Sequence, residues 1–168
     1  KRRKVAELGY QLCEGIDGWR RQFMKLIPRN LALGCKTFSN SGNETPTELA
    51  VDGDRVRLFW AGHPNPAALT VDMEEVREVE KVKTFFYVAG RRYYKYKIYV
   101  SVDAIKWTLV CDMSENTKPS TVAGDSWSFE KQQVRFVKID ILFNKVNTSV
   151  HLREIEVYGP AIYEMSND

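Results

Sequence analysis

Tyr94-Lys95-Tyr96-Lys97-Ile98-Tyr99-Val100 is the stretch whose pattern decides the fold. In extended backbone successive side chains point to opposite faces, so Tyr94, Tyr96, Ile98 and Val100 share one face and the lysines share the other. One face suits a core and the other suits water. Outward from this segment, from Asn30 onwards, the chain keeps the same texture of short alternating runs punctuated by turn residues. The pattern predicts further strands over 31–38, 68–73, 79–88, 106–111, 126–129, 134–143 and 151–158. Together they make about eight strands with no helix between them, which points to an all-β, eight-stranded jelly-roll sandwich.

The 168 residues fall within the size of one domain that buries its own core. Basic and acidic residues number 25 and 22, leaving a net charge of +3. That is too small a surplus for a nucleic-acid binder on charge alone. The basic run Lys1-Arg2-Arg3-Lys4 is short and terminal, and no nucleic-acid partner is expected from it. No apolar run is long enough to span a bilayer, and the first residues lack the apolar segment of a secretory signal. Because the sequence opens on Lys, it is expected to be a piece of a longer protein. Cys13, Cys35 and Cys111 have neither C-x-x-C spacing nor enough histidines for a zinc site. Cys111 reads as a small buried strand residue.

Ahead of the β region, Leu8, Leu12, Ile16, Trp19, Phe23 and Ile27 recur every three or four residues, a helical stripe. Gly15 and Gly18 weaken it and Pro28 ends it. Three parts follow: an N-terminal helical appendage, or the end of an upstream domain, over 1–28, a β-sandwich over 29–160 and a C-terminal tail over 161–168.

Six segments of the β portion, in order, resemble the discoidin or coagulation-factor type C (F5/8 type C) family. They are Asn30-Leu31-Ala32-Leu33-Gly34; Leu49-Ala50-Val51-Asp52-Gly53-Asp54; Leu69-Thr70-Val71-Asp72-Met73; Tyr96 to Asp103 followed by Lys106-Trp107; Val134-Arg135-Phe136-Val137-Lys138-Ile139; and Arg153-Glu154-Ile155-Glu156-Val157-Tyr158-Gly159. The resemblance implies a galactose-binding-like jelly roll, closest to bacterial carbohydrate-binding modules. Ala104 stands where the family's tight turn has glycine, so that turn is expected to differ, since alanine resists positive φ. The vertebrate members' closing cysteine is also absent, because Pro160 follows Gly159.

The resemblance further implies a structural calcium. Side-chain oxygens would come from Asp52 and Glu154, and backbone carbonyls from Leu49, Asp54 and Arg153, a hard-oxygen set of the kind calcium takes. The family's threonine ligand is missing, with Val56 and Arg57 near its place. Three readings stay open: calcium, an arginine pairing with Asp52 in its stead, or an Asp52 that only shapes the Asp-Gly turn.

Ligand binding in this family uses loops at one end of the sandwich. Sugars stack their C–H faces on rings and give their hydroxyls to polar side chains. Trp60, His63 and Asn65 come from the first candidate loop, Tyr87, Arg91 and Arg92 from the second, and Phe143, Asn144 and Asn147 from the third. For each a plainer reading stands beside this one: Trp60 and Phe143 as packing residues, His63 as a locally satisfied loop histidine, and Arg91 and Arg92 as solvated charge.

No G-x-S-x-G, H-E-x-x-H or phosphate-binding glycine loop occurs, so no enzymatic activity is expected. The leading expectation is a non-catalytic carbohydrate-binding module of a larger glycan-active enzyme, an accessory domain of a glycoside hydrolase. Its partners would be terminal sugars of complex glycans and the other domains of the parent protein. The alternatives are a protein- or membrane-binding adhesion domain, with Tyr93 and Tyr94 beside Arg91 and Arg92, or a structural spacer without ligand. The family resemblance implies a secreted or cell-surface location, where the sequons at Asn43 and Asn147 would matter.

Overall fold

The computed structural model describes residues 24–27, 29–160 and 162–165. The chain divides into two compact units, Asn30–Pro160 and the paired termini, Lys1–Arg29 with Ala161–Asp168. In the terminal unit, β1 (Met24–Ile27) runs antiparallel to β10 (Ile162–Met165), with Met24 opposite Met165 and Ile27 opposite Ile162. This corrects the end of the expected helix and the expected tail. The residue before a proline is biased towards extended backbone, as Ile27 is by Pro28, and helical periodicity carries no information about a partner strand far along the chain. Residues 1–23, the rest of the predicted helix, lie outside the described residues.

The larger unit contains β2 (Lys36–Ser39), β3 (Gly42–Asn43), a 3₁₀ turn (Thr47–Ala50), β4 (Trp60–His63), β5 (Ala67–Phe86), β6 (Tyr94–Ser101), β7 (Thr108–Met113), β8 (Asp125–Asn144) and β9 (Val150–Tyr158). Hydrogen bonding links them in the order β3-β4-β9-β5-β8-β6-β7, and β2 pairs separately with β5. The expected all-β, eight-stranded sandwich is what forms, but the strands are cut differently. Segments 68–73 and 79–88 belong to one strand, and 126–129 and 134–143 to another. Register shifts between Asp72 and Arg77 and between Val79 and Lys81 bend β5 as it runs along β8. Bulges of this kind bend a strand without ending it, so β5 pairs with β2 through its first half and with β9 through its second. The expected strand over 31–38 begins only at Lys36, and Trp60–His63, expected as loop, is β4.

The core forms where the alternation said it would. Tyr94, Tyr96, Ile98 and Val100 are buried against Leu69, Val71, Ile139 and Ile141, whereas Lys95 and Lys97 reach Glu115 and Asp112 on the other face. Cys111 is buried too, and burial pushes its thiol up to about 12. Ala104 does adopt φ +59°, contrary to the expectation that alanine would change the turn. The neighbouring side chains hold it there. Ser101 Oγ accepts the N–H groups of Asp103 and Ala104, and Asp103 Oδ1 accepts those of Ile105 and Lys106 at 2.9 Å.

Three pairings fix one end of the sandwich. Gly62 sits opposite Val150, Tyr94 opposite Asn144, and Tyr87 N–H donates to the His151 carbonyl at 3.2 Å. The connections 64–66, 87–93 and 145–149 therefore emerge side by side.

Candidate functional site

Asn144 organises this end. It closes β8 at 2% exposure, and its Nδ2 donates to Asn147 Oδ1 at 2.7 Å and to the Ser149 carbonyl at 2.6 Å. Its Oδ1 accepts the Val146 N–H at 3.2 Å, so one buried amide shapes the whole 144–149 turn. That turn then captures the first loop. Asn65 N–H donates to the Thr148 carbonyl at 2.7 Å, and Asn65 Nδ2 reaches the Asn147 carbonyl at 3.5 Å. At the end of β4, His63 Nδ1 lies 3.3 Å from Ser149 Oγ and 3.4 Å from Thr148 Oγ1. Ser149 Oγ donates to Glu44 at 3.1 Å, and nearly half of the His63 side chain stays open to solvent.

The second loop enters through a buried pair. Arg92 Nη1 donates to His151 Nδ1 at 2.7 Å, so the imidazole proton resides on Nε2. Burial, helped by the Arg92 charge and opposed by Glu44, pushes His151 down to about 4, leaving it neutral at pH 7. Tyr94 Oη lies 3.3 Å from the same nitrogen, and burial pushes the Tyr94 phenol up to about 12. The Tyr87 ring receives the Arg92 and Arg153 guanidiniums at 5.1 and 5.2 Å and packs on Phe59 at 5.1 Å. Farther out, Phe143 is 38% exposed and meets Tyr93 at 5.9 Å, with Lys145 Nζ 5.7 Å from the Tyr93 ring.

A second cluster lies where the 47–57 segment meets β9. Glu154 is fully buried, and its carboxylate oxygens accept one N–H, that of Gly53, at 3.3 and 3.2 Å. Gly53 has φ +85°, a conformation open to glycine, which lets its N–H face the carboxylate. Burial pushes Glu154 up to about 8; the Gly53 N–H lowers it, and the Asp52 and Glu156 charges raise it further. The nearby arginines are engaged elsewhere. Arg55 binds Glu156, which also accepts the Tyr158 hydroxyl at 2.7 Å, and Arg57 Nε donates to Asp54 at 2.8 Å. Asp52 Oδ1 accepts only the Asp54 N–H, at 2.7 Å, among the described residues.

These arrangements match a known pattern: residues 35–155 fit the F5/8 type C domain. The chain belongs to the F5/8 type C domain family. Among solved structures, chitosan-binding module 2 of a chitosanase/glucanase from Paenibacillus sp. IK-5, in complex with chitotriose, is 26% identical with a TM-score of 0.66 over 77% of this chain and 100% of that one. Chitosan-binding module 1 of the same enzyme is 24% identical at TM-score 0.66, covering 78% and 99%. A family 89 glycoside hydrolase from Clostridium perfringens is 21% identical at TM-score 0.67, over 83% of this chain and 16% of the enzyme.

Within this F5/8 type C domain the sequence-expected ligand residues separate into three kinds. His63, Asn65, Tyr87, Arg91, Phe143 and Asn147 reach the surface in whole or in part. Arg92 and Asn144 are buried and act from beneath, fixing the loops rather than facing outward. Trp60 is a correction: it is fully buried, its Nε1 donates to Asn43 Oδ1 at 2.9 Å, and its ring fills core where no ligand can stack. Of the three readings left open for Asp52, the arginine pairing does not form among the described residues, because Arg57 pairs with Asp54. Sequence reading missed His151, Glu44 and Ser149. His151 had one available signal, being the second of only two histidines and lying at the start of a strand; Glu44 and Ser149 had none.

Proposed function

We propose that this chain is a non-catalytic carbohydrate-binding module that holds a sugar at the loop end of the sandwich. One observation carries the reading: the Asn144 network draws three sequence-distant loops together. It brings Asn65 and Asn147 together near His63, while the exposed Phe143 packs on the half-buried Tyr93 where the 87–93 loop meets Lys145. Rings offer a stacking face and the amides and imidazole offer paired donors and acceptors, the combination that a pyranose requires. The solved modules described above bind chitosan or belong to a glycoside hydrolase, which supports the same role here. As a tether, the module would raise the concentration of its parent enzyme at a glycan, secreted or at a cell surface.

We also propose a structural calcium at the Asp52–Glu154 corner. The donors support it: among the described residues Glu154 is a fully buried carboxylate with one N–H partner, Asp52 lies near enough to raise its pKa, and neither has an arginine hydrogen-bonded to it. Asp52 and Glu154 would hold the ion with the carbonyls of Leu49, Asp54 and Arg153. Its charge would supply what that corner lacks, anchoring the 47–57 segment to β9.

A second reading has its own support. Phe143 and Val146 are exposed beside Lys145 and Arg91, an apolar tip with basic neighbours that suits an anionic membrane. A broad glycan array separates the two. The wild type should bind a defined saccharide, with His63→Ala and Phe143→Ala losing it. A blank array together with salt-sensitive binding to phosphatidylserine vesicles would instead establish the membrane reading.

A further inference from the structure

Beside the loop end, a groove of about 490 Å³ lies on the outer face of the layer formed by β2, β5 and β8. Ligand sites typically span about 300–1,000 Å³, so the groove has room for more than an ordered water or two. Its floor is Ala68 and Thr70 of β5 with their cross-strand partners Asp140 and Lys138 of β8. These alternate with the buried Leu69, Val71, Ile139 and Ile141, so they face outward. Phe38, 56% exposed, forms one wall, and Pro66 lies where the groove approaches the loops.

The chemistry of the lining is specific. Among the described residues, no hydrogen bond reaches the Thr70 hydroxyl or either Asp140 carboxylate oxygen. The nearest cation to Asp140 is Lys138 Nζ at 3.8 Å, beyond hydrogen-bonding distance. Lys138 is steadied over the Tyr99 and Trp107 rings, at 4.8 and 4.6 Å from their centroids. An exposed ring, a half-buried carboxylate with free acceptor sites, a hydroxyl and an ammonium thus converge on one groove. An apolar peptide would leave Asp140 unpaired and desolvated, and a strongly charged partner would meet opposed charges on Lys138 and Asp140. A chain of hydroxyl-rich rings satisfies every group.

The groove is continuous with the loop end. Pro66 follows Asn65 directly, and Asn40 locks onto the start of β5, accepting the Ala68 N–H at 2.7 Å and donating its own N–H to the Ala68 carbonyl at 3.3 Å. Gly42, two residues on from Asn40, sits opposite His63 in the β3–β4 pair. The strip 39–42 therefore joins the groove wall to the His63 strand.

We propose that this groove is an extension subsite, so that the ligand is a saccharide chain bound over consecutive sugars, one at the loop end and the next along the Phe38–Asp140 face. The proposal rests on the carbohydrate reading above. Two subsites on one ligand act as a linked pair, so affinity rises with chain length.

Isothermal titration of the whole chain tests this, with glucosamine, galactose, and chitosan and β-galactan oligosaccharides of two to six sugars as probes. Wild type should tighten about tenfold or more between one sugar and four. Phe38→Ala and the isosteric Asp140→Asn should each remove about fivefold of that gain and leave single-sugar affinity unchanged. Thermal melts would verify that both variants fold. Affinity independent of length, or a length gain that survives both substitutions, would overturn the extension subsite alone. Wild-type protein that binds no probe of any length would overturn the carbohydrate reading, and this inference with it.

Discussion

Strand β9 carries three buried ionisable side chains, His151, Glu154 and Glu156, and the protein treats the first two in opposite ways. Burial makes both neutral at pH 7, pushing His151 down to about 4 and Glu154 up to about 8. Yet His151 Nδ1 is surrounded by three side chains, Arg92, Tyr94 and Asn144, with Arg92 Nε the one buried donor of that cluster left without a partner among the described residues. Glu154 has one backbone N–H and two neighbouring negative charges, Asp52 and Glu156. A buried polar network is worth most when every member is satisfied, and an under-satisfied one invites a further partner. Under the proposals above, the His151 end would be the base beneath the binding loops, and the Glu154 end the corner where a cation would add most.

The sharpest way to break this contrast is Asn144→Ala. It strips the donors that close the 144–149 turn, and the loss should approach about 3 kcal/mol, because buried groups are left unpaired. Denaturant melts would show it, and saccharide binding should vanish with it. A variant as stable as wild type would mean that the network does not hold the loops.

Calcium addresses the other end. At a hundred times its dissociation constant it should stabilise the chelated wild type by about 2.7 kcal/mol. Glu154→Gln should abolish that shift while changing the chelated protein little. An unchanged melting temperature in wild type on adding calcium would refute the socket.

Acid tests the His151 end through the difference between wild type and His151→Gln, because Glu154, raised to about 8, adds stability as pH falls through the same window. The folded pKa of His151 lies below its ordinary value of 6.5, so between pH 6.5 and 4 the unfolded chain binds a proton that the folded chain refuses. The His151 contribution is fully present above 6.5 and falls as pH drops, by about 2 kcal/mol at pH 5. The groups facing the ring are Arg92, Tyr94, Asn144, Tyr87 and Phe59, with Glu44 nearby, and His151→Gln should gain stability relative to wild type as pH falls from 6.5 to 4. The smallest effect belongs to Arg57→Ala. Its pair with Asp54 is exposed on the arginine side, and urea titration should register no resolvable change in midpoint.

How much of this was legible in the sequence follows the physics of each part. Alternation exposed the β6 core face, because Tyr94, Tyr96, Ile98 and Val100 all obey one local rule. It could not show that 68–73 and 79–88 are one bent strand, since the register shifts depend on pairing with β8. The β1–β10 pair was hidden for the same reason: Met24–Ile27 reads as the end of a helix until its distant partner is known. Of the candidate ligand residues, His63, Asn65, Phe143 and Asn147 do reach the surface of the loop end that the sequence pointed to. The depth of Trp60, Arg92 and Asn144 was not legible, because burial depends on what packs above a residue. His151 stayed unseen because its role arises from Arg92 and Asn144, each remote in sequence.

The central claim is that the loop end is where a saccharide binds, and amide chemical-shift mapping with the strongest array ligand tests it most directly. The account predicts shifts concentrated at His63, Asn65, Tyr93, Asn144 and Asn147, with the far end around Val102–Lys106 unmoved. Shifts centred on that far end, or an unperturbed spectrum at saturating saccharide, would contradict it.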